Sequence, residues 1–116
     1  MNNEKNPLIF LQHILDNINK IEDFSKNISK TELKENYQKQ YAIIKGIEII
    51  GEATKNISKN FIEKNPQVPW REIIGTRDKM IHHYFGIDLD IVWKIIKEEL
   101  PQLKKQIMEI IKQNEK

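Results

Sequence analysis

The chain contains no cysteine, which removes disulfide frameworks, thiol nucleophiles and cysteine-ligated zinc or iron–sulfur sites and makes a reducing cytoplasm the expected setting. Glycine and proline are sparse, four of each in 116 residues, and no Gly/Ser linker, internal repeat or low-complexity tract divides the sequence. One domain over residues 1–116 is therefore expected, because this length is too short for two independent cores. No apolar stretch approaches the ~20 residues of a membrane helix, and the start lacks the charged segment and apolar run of a secretory signal. The chain reads as unprocessed and soluble, with no membrane partner. Strand-like alternation is missing as well, which leaves helices as the building material.

What is present fits that reading. Apolar residues make up 39% and charged residues 31%, enough to fill a core and too hydrophobic for a disordered chain. The formal charge of +2 is unevenly spread: residues 1–52 carry seven lysines against eight carboxylates, residues 53–85 six basic against three acidic groups, and residues 86–116 six of each. The positive excess lies in the middle. A modest basic patch is able to attract a polyanion, but on charge alone the excess of three fits a solvated helix face better.

Helical periodicity begins after Pro7, a good first-turn residue. Leu8, Leu11, Ile14 or Leu15, Ile18, Ile21 and Phe24 recur at three- and four-residue spacing, which predicts one amphipathic helix ending near Asn27. Ser29 with Glu32 resembles a capping box and opens a long second helix through Leu33, Tyr37, Tyr41, Ile44, Ile47 and Ile50 to about Lys55. Gly46 and Gly51 lie inside it, where glycine costs ~1 kcal/mol relative to alanine, so a close helix–helix approach is the expected compensation. Ser58 caps a short turn, Pro66 and Pro69 break the pattern, and Trp70 restarts a helix predicted to run to about Phe85. Gly86 stops it. Asp88 caps a last helix with Ile91, Val92, Ile95 and Ile96 on its apolar face, interrupted or kinked at Pro101 before Leu103, Ile107 and Ile110. The predicted architecture is all-α, an up-and-down bundle of four or five helices.

The chemically informative stretch is Arg77-Asp78-Lys79-Met80-Ile81-His82-His83-Tyr84. The chain has three histidines, two of them adjacent here, and of its 19 basic residues only Arg71 and Arg77 are arginine. Guanidinium grips a phosphate bidentately where lysine offers a point charge. Together, Arg and His are able to cleave RNA without a metal: imidazole moves the proton of the ribose 2′-hydroxyl or of the leaving 5′-oxygen, and guanidinium stabilises charge on the phosphoryl oxygens. The candidate catalytic groups are accordingly Arg77 and His82, with His83 the other histidine open to proton transfer. His82 and His83 point about 100° apart on a helix and do not form a metal site, so neither metal nor cofactor is expected. On a straight helix Arg77 and His82 diverge by roughly 140°, which requires either a distorted helix or two copies of the segment meeting in a symmetric dimer. As a bare pair the two residues are weak evidence, since His82 also serves as a capping or packing residue. Trp70 and Trp93 read as packing anchors.

The surrounding residues strengthen the pair. Arg77, His82 and Tyr84 resemble the RxxxxHxY motif of HepT proteins, within the HEPN superfamily of helical ribonucleases. Ile49-Ile50-Gly51-Glu52-Ala53 is similar to the family's mid-helix segment, Pro69-Trp70-Arg71-Glu72-Ile73-Ile74 to its approach to the motif, and Tyr84-Phe85-Gly86-Ile87-Asp88 with Trp93 to its exit. The resemblance implies a homodimeric, metal-independent endoribonuclease with Arg77 and His82 of both subunits lining a cleft. It further implies a toxin–antitoxin module, in which a minimal nucleotidyltransferase antitoxin transfers AMP from ATP to Tyr84. Asp78 stands where the family often has asparagine and is the supporting carboxylate expected to hold Arg77 or His82 in place, and Glu52 is placed to orient Arg77 or to form a plain ion pair. The competing expectation is a noncatalytic helical module that binds or scaffolds a nucleotidyltransferase.

Overall fold

Polar side chains cap most of the helix starts. The computed structural model describes residues 6–82 and 86–114, His82 by its backbone alone. Asn6 accepts the Leu8 N–H at 2.9 Å and Pro7 opens α1 (Pro7–Ser25). Ser29 accepts the Glu32 N–H at 3.0 Å and starts α2 (Lys30–Glu35). Then follow α3 (Tyr37–Lys55), α4 (Lys59–Lys64, capped by Ser58), α5 (Trp70–Ile74) and α6 (Thr76–Met80). A two-residue ladder of β1 (Ile81–His82) and β2 (Gly86–Ile87) precedes α7 (Leu89–Lys94), a π-helical turn over Ile95–Glu99, and α8 (Leu100–Asn114). Among the described residues no helix is long and apolar enough to cross a membrane.

The chain folds as an all-α bundle, with more breaks than the periodicity implies. α1 and α3 pack antiparallel, α8 lies against α1, and their facing stripes make one core that includes Leu11, Ile14 and Ile18 of α1, Ile43 and Ile47 of α3, and Ile107 of α8. Burying such side chains contributes roughly 1.5–3 kcal/mol each before chain entropy is set against it. The expected close approach at Gly46 is found. A Cβ built there would sit 2.8 Å from Ile21 Cγ1, so glycine lets α1 and α3 approach. Trp70 is a buried anchor, its Nε1 donating to the Asn65 carbonyl at 2.8 Å and its ring edge-on to Phe61.

Three expectations are corrected. The helix foreseen from Ser29 to Lys55 is two helices, divided at Asn36 (φ −98°, ψ 94°). Asn36 donates its N–H to the Glu32 carbonyl at 2.8 Å and accepts the Lys39 N–H at 3.0 Å, while Gln40 Nε2 donates to the Leu33 and Lys34 carbonyls left open by the break. An asparagine side chain competes with the helical backbone in this way, which is why it favours caps over interiors. The break moves Tyr37 and Tyr41 off the buried stripe into solvent. Phe24 is likewise 40% exposed, and Ser25 takes the buried position with its hydroxyl on the Ile21 carbonyl at 2.7 Å.

The helix foreseen from Trp70 to about Phe85 stops much earlier. It breaks at Gly75, and Ile81 leaves α6 in an extended conformation (φ −104°, ψ 119°). No side chain caps α5 or α6 at its start. Gly75 weakens the helix, and β-branched Ile81 followed by His82 fits extended backbone better than a helix interior. Ile81 pairs with Ile87 and His82 with Gly86, whose φ of +81° is the left-handed value that favours glycine. The Asp88 N–H then donates to the Met80 carbonyl at 2.7 Å. Residues 83–85 of that expected helix lie outside the described residues.

At Pro101 the last helix continues without ending. The π turn before it widens the backbone, with Leu100 N–H donating to the Ile95 carbonyl. This accommodates a proline that has no N–H and whose ring presses on the preceding turn. Asp88 caps α7 as expected, accepting from Asp90 and Ile91 N–H at 3.0 and 3.2 Å.

Candidate active site

Arg77 is the second residue of α6, and its partner comes from across the bundle. Its Nε donates to Glu48 Oε2 of α3 at 3.2 Å, with the two side chains 61% and 34% exposed. The contact engages Nε alone. Among the described residues no acceptor meets the terminal guanidinium nitrogens, whose N–H groups remain for two oxygens of an anion such as phosphate. A pair this exposed contributes about 0–1 kcal/mol to folding, so its main effect is to orient the guanidinium.

Glu52 does not make this contact; its Oε1 meets Lys55 Nζ at 3.4 Å. The carboxylate that meets Arg77 lies one helical turn earlier than expected, on a residue the motif did not mark. Asp78 is exposed in the first turn of α6. The backbone of His82 is fixed by its pairing with Gly86 directly after α6. With His82 on β1, the two motif residues do not share one straight helix, and the roughly 140° divergence no longer applies. The side chain of His82 and all of Tyr84 lie outside the described residues.

A groove of about 350 Å³ runs over the outer face of α3 and reaches Arg77. Phe10 and His13 of α1 line one side, Ile74 and Arg77 the other, with Lys45 and Glu48 of α3 between them. The rings of Phe10 and His13 meet edge-on, centroids 6.4 Å apart. His13, the third histidine, thus stands in the same groove as Arg77. Its sequence position, three residues after Phe10 on the flank of the α1 stripe, was the available signal. Glu48 and Glu52 are matched by Arg77 and Lys55, whereas Lys45 has no ion-pair partner among the described residues.

An exposed arginine, oriented by a carboxylate and followed at once by a histidine-bearing strand, is an arrangement suited to a phosphodiester. Residues 14–110 match the family model described as Ribonuclease HepT-like. The chain belongs to the HepT-like ribonuclease family. It is 46% identical over 98 residues to a Methanocaldococcus jannaschii protein assigned as an RNase, covering 84% of this chain and 90% of that one. It is 44% identical over 107 residues to a Caldanaerobacter subterraneus protein with the same assignment, covering 92% and 96%. A Thermococcus cleftensis protein assigned as ribonuclease HepT is 41% identical over 95 residues, covering 82% and 86%. No solved structure matches the chain. Membership in the HepT-like family agrees with the family resemblance read from the sequence.

Proposed function

We propose that this HepT-like chain is the endoribonuclease toxin of a toxin–antitoxin module, acting in the cytoplasm, and that Arg77 and His82 carry out the cleavage. The observation that supports this most directly is the exposed Arg77 guanidinium, held through Nε by Glu48 with its terminal nitrogens uncommitted among the described residues. In the reaction, the 2′-oxygen of a ribose attacks the adjacent phosphorus, the bond to the 5′-oxygen breaks, and a 2′,3′-cyclic phosphate remains. His82 serves as the proton-transfer group, taking the 2′-hydroxyl proton or supplying one to the departing 5′-oxygen. Arg77 stabilises the charge on the non-bridging oxygens. Efficient cleavage uses two proton-transfer groups, and a homodimer bringing two motif segments to one cleft supplies the second His82.

Control follows from the same place. A nucleotidyltransferase antitoxin delivers AMP from ATP to the Tyr84 phenol, with pyrophosphate leaving. The adduct sets a phosphodiester anion and an adenosine beside a site shaped for RNA, so it competes by charge as well as by bulk. Tyr84→Phe keeps ribonuclease activity and escapes the antitoxin, which mass spectrometry of the coexpressed pair reads directly.

The deciding experiment compares Arg77→Ala and His82→Ala with wild type in RNA cleavage, with circular dichroism as the control for folding. Both variants lose cleavage while keeping the helical spectrum, and wild-type cleavage continues with chelator present. Undiminished cleavage by His82→Ala refutes the role assigned to that residue, whereas no cleavage by wild type leaves a noncatalytic partner of the nucleotidyltransferase as the reading.

A further inference from the structure

Two large aromatic side chains on α3 make little use of the core. Tyr37 is 71% and Tyr41 76% exposed, and with Lys45 they recur every fourth residue, which sets them in one row on the outer face of the helix. The row runs toward the groove that holds Arg77. Lys45 lines that groove, and Glu48, three residues further on, is the carboxylate that meets Arg77. At 1.5 Å per residue, Tyr41 lies about 10 Å along the helix from Glu48, within reach of nucleotides adjoining a phosphate on Arg77.

We propose that Tyr37, Tyr41 and Lys45 form a track for single-stranded RNA on one side of the cleavage site. Unstacked bases lie on the phenol faces, an interaction open to every base because every base has a π-face, and Lys45 takes a phosphate between Tyr41 and Arg77. Charge favours this occupant at the inner end of the track. The two groove carboxylates are each matched by a cation, while Lys45 has no ion-pair partner among the described residues, leaving a positive charge between the aromatic row and Arg77. Across the groove, the edge-on rings of Phe10 and His13 supply the facing wall. The direction of the track relative to the cut rests on the Arg77 reading above, but RNA binding by the row is measured independently of cleavage.

The experiment titrates wild type, Tyr41→Ala, Tyr41→Phe and Lys45→Gln with fluorescent single-stranded oligoadenylate and with duplex RNA, following anisotropy over a range of salt. Tyr41→Ala weakens oligoadenylate binding about tenfold, since one base stack is worth ~1–3 kcal/mol. Tyr41→Phe retains affinity and duplex binding is unchanged, because the ring face is what binds. Lys45→Gln lowers the salt slope by about 0.7, the value for one phosphate contact on a single strand. Cleavage by Tyr41→Ala and Lys45→Gln shows a raised KM with kcat unchanged. Wild-type affinity and salt slope in both variants overturn the track, even where Arg77→Ala is inactive and the cleavage site therefore stands. A fall in molar mass of Tyr41→Ala by light scattering, with RNA affinity restored at high protein concentration, also overturns it, because the row is then a contact between copies of the chain. An active Arg77→Ala refutes the cleavage assignment and leaves the binding result to decide the track.

Discussion

Arg77 Nε and Glu48 Oε2 stand 3.2 Å apart across the packing of α6 on α3, joining a helix of five residues to one of 19. The short helix has no capping side chain at its start and gives way to extended backbone at Ile81. Its own hydrogen bonds do little to fix the direction of Arg77. The longer, core-packed α3 therefore sets the guanidinium through Glu48.

Glu48 is accordingly a positioning residue. In Glu48→Ala, kcat for RNA cleavage falls roughly tenfold to a hundredfold, the penalty of a misplaced catalytic group. KM is unchanged or lower, because a carboxylate has been removed from beside the phosphate site. Unfolding free energy changes by no more than about 1 kcal/mol, as for other exposed pairs. Wild-type kcat in this variant would show that Arg77 is oriented by something else.

The two glycines inside α3 respond oppositely to alanine. At Gly46 the new methyl meets Ile21 Cγ1 at 2.8 Å and Cδ1 at 2.9 Å, and Ile21 is 1% exposed with nowhere to turn. Overpacking costs roughly 1–3 kcal/mol and outweighs a helix-propensity gain of at most about 1 kcal/mol. At Gly51 the nearest atom, the Ile73 carbonyl oxygen, is at an ordinary 3.6 Å. Urea unfolding should show Gly46→Ala destabilised and Gly51→Ala stabilised by about 0.5–1 kcal/mol; matching signs would contradict the packing argument.

The sequence made some features of the fold legible and concealed others, for identifiable reasons. Local signals carried over well: Ser29, Ser58 and Asp88 cap where their spacing indicates, and Leu11, Ile14, Ile18 and Ile21 are buried at their helical spacing. Breaks within apolar periodicity were harder to read. Asn36 and Gly75 divide expected helices while the apolar pattern runs on through them, so period alone cannot locate the stop. Ile81 and His82 carried a signal for extended structure, but a two-residue ladder is too short to show alternation. Glu48 was hidden because its contact with Arg77 spans 29 positions, and Glu52 occupies the next turn of the same helix with the same chemistry.

Acid stability reports on the link between α2 and α7. Asp90 Oδ1 is 2.8 Å from Lys30 Nζ and 3.6 Å from Lys34 Nζ. The hydrogen bond from Lys30, then the charges of Lys30 and Lys34, hold the Asp90 carboxyl below its usual value of 3.8, against smaller opposing effects of desolvation and then of Asp88. A carboxyl whose pKa is lower when folded contributes stability above its unfolded pKa and loses it as pH falls through the folded one. Asp90→Asn therefore melts slightly below wild type at neutral pH, and the two curves converge well below pH 3.8. Added salt narrows the neutral-pH difference, because the pair is exposed. A difference that persists unchanged in acid would assign the effect to packing and not to charge.

The last prediction concerns whether the proposed site is completed by a second chain. With His82 on β1 and Arg77 on α6, the divergence along a straight helix no longer bears on dimerisation. The chemical argument remains: cleavage with a 2′-oxygen nucleophile is served best by one group that removes a proton and another that supplies one, and the motif offers His82 once per chain. In a symmetric dimer the two motif segments line one cleft, where each Arg77 works beside the His82 of the other chain. Mixing inactive Arg77→Ala with inactive His82→Ala then produces heterodimers whose cleft keeps one such pair and has lost the other. With equal subunits and free exchange about half the dimers are mixed, so activity returns to at most about a quarter of wild type, less by whatever the second His82 contributes. Sites contained within one chain give no recovery, because every chain in the mixture carries a defect. Subunit exchange is verified first with differently tagged chains. A mixture that stays inactive after exchange, or an active enzyme that light scattering finds monomeric, rules out the shared cleft while leaving the separate roles of Arg77 and His82 to their single-variant tests.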